Sequence, residues 1–164
     1  MARDAPNLIR PTDTGARSLA RGLITQARHA SLAVIEPDTK TPMVTRIAFG
    51  TTPQGQPLSL ISDLSHHSRA LAANPAASVL VGEPGLRGDP LTHPRLTLQV
   101  QTRFVRQAEA AHAELAAHYL RDHPKAKLYI GFTDFFFALF DVQAAYLNGG
   151  FGRAFVLTPS DLGL

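Results

Sequence analysis

Residues 62–69, Ser-Asp-Leu-Ser-His-His-Ser-Arg, gather the side-chain types that an anionic ligand needs. A phosphate is held best where cationic donors, hydroxyl donors and free backbone N–H groups converge. Ser65 is placed to cap a short helix that Asn74-Pro75 must stop. The N–H groups of His66, His67 and Ser68 would then be the unpaired donors of its first turn. Ser62, Ser68 and Arg69 can add side-chain contacts, with Arg69 one turn after Ser65 on the same helix face. Arg46 is a second cation of interest, because a charge among Val44, Ile47, Ala48 and Phe49 requires an anion or solvent. The competing reading is a surface helix cap and a solvent-facing strand arginine.

Other chemistries find less support. The chain has no cysteine, which excludes disulfides, thiolate metal ligands, iron–sulfur clusters and cysteine nucleophiles, and suits a reducing cytoplasm. No Gly-x-Ser-x-Gly elbow and no zincin spacing of histidines occurs, and Gly150-Phe151-Gly152 lacks the third glycine of a dinucleotide fingerprint. The metal-site expectation is therefore none. Phe132, Phe135, Phe136, Phe137 and Phe140 could line a ring-binding pocket, but a core or subunit interface explains them more simply.

These residues need elements to place them. Asp13 and its neighbours offer a helix cap, and Ala16, Leu19, Ala20, Leu23 and Ala27 follow with helical spacing. Residues 31–36 and 43–51 read as a hairpin about a Pro-Asp-Thr-Lys turn, and 58–61 as a short strand. Strands at 77–81 and 95–105 flank a glycine- and proline-rich loop. In the second, Leu96, Leu98, Val100, Thr102 and Phe104 face a core while Arg95, Thr97, Gln99, Gln101 and Arg103 face water. A helix marked by Ala108, Ala111, Leu115 and Tyr119 ends near His123-Pro124, and strands at 135–147 and 153–157 complete the chain. This is a mainly β fold with flanking helices (α+β): a β-barrel of six or seven mostly antiparallel strands in meander order. Residues 1–164 are expected to form one domain, with 1–14 a flexible segment.

The balance of residues agrees. With 45% apolar and 18% charged residues, the 164-residue chain can bury a real core. Its net charge of +3 is not gathered into a basic block, so nucleic acid is not an expected partner. The apolar run 135–140 is too short to span a membrane, and the N-terminus lacks the apolar stretch of a signal peptide.

Thr45-Arg46-Ile47 on a strand, the 60–69 segment and Leu71-Ala72-Ala73-Asn74-Pro75-Ala76-Ala77 together resemble the pyridoxamine 5′-phosphate oxidase-like FMN-binding split barrels. Phe132-Thr133-Asp134-Phe135 and Gly149-Gly150-Phe151-Gly152-Arg153-Ala154 resemble the haem-utilisation branch of that superfamily. The resemblance implies a homodimer with FMN at its interface and a small-molecule substrate for an FMN-dependent oxidoreductase. It implies a phosphate held by Arg46, Ser62, His67, Ser68 and Arg69. The flavin ring would lie against Ile47 and Ala48, with Gln101 or Gln99 approaching from the partner subunit. The alternatives are haem on the same fold, or a non-catalytic flavin-binding module. The haem branch takes its iron ligand from a C-terminal histidine, and this chain has none after His123.

Overall fold

The computed structural model describes residues 9–164. Strand β1 (Ile9–Arg10) leads to helix α1 (Thr14–Gln26), strands β2 (His29–Ile35), β3 (Pro42–Ala48), β4 (Gly50–Thr51) and β5 (Pro57–Ser62), and helix α2 (His66–Ala73). Strands β6 (Ala76–Val81) and β7 (Arg95–Val105), helix α3 (Ala111–Asp122), strands β8 (Phe135–Asn148) and β9 (Ala154–Leu157), and helix α4 (Pro159–Leu162) follow. Among the described residues, no helix is long and apolar enough to cross a membrane. Of the N-terminal segment expected to be flexible, 1–8 lie outside the described residues, while β1 pairs in parallel with β9.

Among the described residues, nine strands form one sheet in the order β1-β9-β8-β7-β6-β2-β3, with β5 joined to β8 and β4 to β5. The expected mainly β, split-barrel fold is present, with two short strands more than the sequence pattern showed. The meander expectation holds for β6 to β9 only. β8 is the reason: at 14 residues it pairs with β5 through its first half and with β9 through its second, and with β7 along its length. A register shift between Gln99 and Val100 of β7 leaves Gln143 of β8 unpaired, and the strand bends there. β3 and β5 share no ladder; the Ser59 hydroxyl donates to the Ala48 carbonyl at 2.6 Å across the split.

Strand alternation sorts the side chains into two clusters. Leu32, Val34, Ile47, Val79, Leu96, Leu98, Val100, Phe136 and Phe140 fill the barrel, closed at one side by Ala16, Ala20 and Ile24 of α1. Asp13 caps α1 through its carboxylate, which accepts from the Ala16 N–H at 2.7 Å. The second cluster, Leu58, Leu60, Val105, Leu115, Tyr119, Phe137 and Leu139, lies on the opposite side of the sheet beneath α3. α4 carries a capping box in which the Thr158 hydroxyl and the Asp161 carboxylate satisfy each other's backbone N–H groups. Those bonds, together with Arg17 at 2.7 Å, hold the Asp161 carboxyl down to about 2.

Candidate functional site

Among the described residues, the other half of the outer sheet surface has no helix over it. Register places its side chains in rows: Arg46, Ser31, Leu80, Thr97, Tyr146 and Val156 lie side by side across six strands. Val44, Ala33, Ser78, Gln99 and Ala144 form the next row. Val44, Leu80 and Tyr146 are 65%, 42% and 44% exposed, an apolar surface on which small residues leave shallow grooves. One groove, of about 420 Å³, is lined by Ala33, Ala76, Ser78, Gln99 and Gln101; another, of about 280 Å³, by His29, Ser31, Leu80, Pro84 and Arg95. Among the described residues, Arg46 has no carboxylate partner. Gln101 stands opposite Asp141, at the margin of this face beside the β8 bend.

The residues expected to hold a phosphate are partly brought together, but most of their polar groups are taken up by other partners. Ser62 donates its hydroxyl proton to Asp134 at 2.5 Å and accepts from the Leu64 N–H. Ser68 donates to the Ser62 carbonyl at 2.7 Å. Ser65 occupies the N-cap position of α2, yet its side chain makes no capping bond, and its carbonyl takes the N–H of Ser68. Only His66 and His67 keep free N–H groups at the helix start among the described residues. Arg69 points to the hairpin turn, 3.7 Å from Asp38. Arg46 belongs to the opposite face of β3 from Thr45, the residue that His67 meets at 3.1 Å.

Ile47 corrects an expectation outright. It is 4% exposed inside the barrel, because strand alternation turns it away from the face that bears Arg46, so its side chain does not reach that face. Ala48, two residues from Arg46, keeps the outer orientation and is half-buried. The phenylalanine segment is mainly core: Phe136, Phe137 and Phe140 are buried, and Phe132 is exposed. Asp63 makes two bonds to Arg106, at 2.7 and 2.9 Å, which lower the Asp63 carboxyl and raise the guanidinium. Arg106 also stacks on Phe136, 4.1 Å from the ring centroid.

His67 is buried enough to resist protonation, and His66 beside it adds to the effect, so its pKa lies below the ordinary 6.5. An unfolded chain takes up a proton at His67 near 6.5, whereas the folded one takes it up only at lower pH, so stability falls as pH drops below 6.5. Thermal melts at pH 7 and pH 5 are expected to show a larger loss for the wild type than for His67→Gln. Equal losses would contradict the burial argument.

The model of the CREG β-barrel family matches residues 11–162. The chain belongs to the CREG β-barrel family. It is 28% identical over 115 residues to the noncanonical heme oxygenase HOZ, chloroplastic, of Arabidopsis thaliana, a match that takes in 70% of this chain and 34% of that protein. The structure of a heme binding protein from Mycobacterium smegmatis superposes with a TM-score of 0.80 at 28% identity, covering 94% of this chain and 61% of that one. This chain thus spans about a third of the first protein and under two thirds of the second. A FAD-binding protein from Mesorhizobium loti shares the fold, with a TM-score of 0.61 at 14% identity over 77% of this chain and 88% of that one. The fold is thus common to proteins that bind haem and proteins that bind flavin, as the sequence resemblance implied.

His29 is the residue of this face that the sequence analysis passed over. It begins β2 and, by alternation with buried Ala30, Leu32 and Val34, points outward with Ser31 and Ala33. The pattern His-Ala-Ser-Leu-Ala-Val carried that information.

Proposed function

We propose that the protein is a homodimeric haem-binding protein, with the tetrapyrrole held on the open sheet face and a second copy of the chain covering it. The observation that carries this reading is the outer face around the row from Arg46 to Val156: a wide surface on which Val44, Leu80, Tyr146 and Val156 are exposed among small polar residues and Arg46, among the described residues, has no carboxylate partner. A planar apolar macrocycle with acidic side groups matches such a surface, the ring against Leu80, Ala33 and Tyr146 and an acid group on Arg46. A bound haem supplies the iron chemistry; the chain's part is to bind the ring, orient it by its acid groups and exclude water when the second copy closes over it. Relatives named for haem at 28% identity support the same choice.

FMN fits this chain less well. A flavin phosphate needs donors, but the Ser62 and Ser68 hydroxyl protons are directed inward, and the Asp134 carboxylate beside Ser62 would repel a phosphate. The fold itself admits a flavin, so the two ligands are tested side by side. Ferric haem is expected to give a sharp Soret band at micromolar protein, while FMN fluorescence stays unquenched. One charge-assisted contact contributes about 1.5–3 kcal/mol, so Arg46→Ala should weaken haem binding roughly 10- to 100-fold. Tight FMN binding with no Soret band would reverse the assignment.

A further inference from the structure

We infer that His29 is the iron ligand of that haem and that Glu83 holds its imidazole in place; the inference rests on the haem reading above. A haem ligand needs a ring nitrogen that is free, accessible and on the ligand's own face. His67 bonds Thr45 on the other side of β3, and His93 uses both nitrogens within its loop, on the Gly85 N–H and the Arg87 carbonyl. His112 packs against Phe137, His118 against Arg121, and His123 reaches the Phe49 carbonyl while stacked on Tyr119. His66 lies exposed on α2, off the open face. His29 alone stands on that face, with its side chain 46% exposed.

Its surroundings include a carboxylate at ion-pair distance. Nδ1 lies 3.6 Å from a Glu83 carboxylate oxygen, so a proton carried there faces an anion, and the Nε2 lone pair is left for iron. Glu83 is set by its neighbour. Gly82 has φ +101°, and a Cβ on it would sit 2.5 Å from the Pro94 carbonyl, so only glycine lets the chain turn this closely against the start of β7. The groove beside His29 holds about 280 Å³ and is bordered by Leu80, Pro84 and Arg95. His29 is opposite Ala48, and Arg46 is two residues earlier on the same strand face, so Arg46 and His29 are diagonal neighbours. Their backbones are then about 7–8 Å apart. Iron on Nε2 and an acid group on Arg46 therefore fall within the span of one ligand.

The test titrates ferric haem into the wild type, His29→Gly, Glu83→Gln and His93→Gly, reading the Soret band and the iron–histidine stretch by resonance Raman. His29→Gly should shift the Soret band and weaken binding on the order of 10-fold or more. Added imidazole should restore the wild-type spectrum, which a merely misfolded variant would not allow. Glu83→Gln should lower the iron–histidine frequency while keeping the ligand, and His93→Gly should change neither. Haem bound by His29→Gly with unchanged spectrum and affinity would overturn the ligand assignment and leave the haem reading standing. A wild type that takes up no haem would overturn both.

Discussion

Leu80→Asp is expected to give a folded monomer of 17.7 kDa, and the wild type is expected to scatter light at twice that mass. Leu80 lies within the outer row, flanked by Ser31 and Thr97, and is 42% exposed in the single chain. The aspartate would thus reach water in the monomer and leave the barrel intact. In a two-fold dimer built on this face the same patch meets itself, so two carboxylates enter an apolar contact together. Each must then be desolvated or protonated, and like charges in a dry contact make the association several kcal/mol less favourable. Haem affinity should fall with the dimer, because half of the enclosing surface is gone. Light scattering at micromolar concentration, with circular dichroism as the check on folding, reads the outcome. A folded Leu80→Asp dimer would place the interface elsewhere and remove the second wall of the proposed site.

How far the sequence reached depended on whether a feature was local. The two faces of β7 followed from alternation alone, and every one of Leu96, Leu98 and Val100 is buried as read. The break between β3 and β4 did not show, since Phe49 continues the apolar run and only the buried site it fills makes the chain turn. α4 had a visible signal in Thr158-Pro159-Ser160-Asp161, a capping box with proline at its first position, although the strand pattern that ends at 157 assigns it no element. The phosphate cradle is the instructive case. Ser62 and Ser68 do meet, but the partner of the Ser62 hydroxyl is Asp134, 72 residues away in sequence, and His67 turns to Thr45. Where a hydroxyl proton goes is decided by tertiary neighbours, and no spacing rule in the 62–69 segment reports it. Ile47, by contrast, was legible: once Arg46 is taken to face outward, the next residue on a strand must face in.

The largest loss of stability is expected from Phe137→Ala. Phe137 is fully buried in β8, between Leu60 of β5 and Val105 of β7, and it belongs to the cluster under α3 instead of the barrel interior. Its ring meets Tyr119 edge-on with centroids 5.5 Å apart, and His112 at 5.3 Å. α3 depends mainly on this cluster: its N-terminus has no side-chain cap, Leu115 and Tyr119 are its buried residues, and Ala116 and Leu120 pack partly buried on the same residues. A helix of 12 residues is marginal without a packed face, so removing the ring loosens α3 as well as leaving a cavity. Truncation of a buried phenylalanine costs about 3–5 kcal/mol, a large share of the roughly 5–15 kcal/mol that stabilises a domain. For a chain of this size the melting temperature should drop by about 6–20 °C. Exposed Phe132→Ala, five residues earlier, should stay within about 0.5 kcal/mol of the wild type. Hydrogen exchange distinguishes the mechanism, because amides of α3 should lose protection in Phe137→Ala while those of β6 and β7 retain more of theirs. Uniform loss along the chain would mean that the two clusters unfold as one, and a drop no greater than that of Phe132→Ala would mean that the second cluster adds little to the fold.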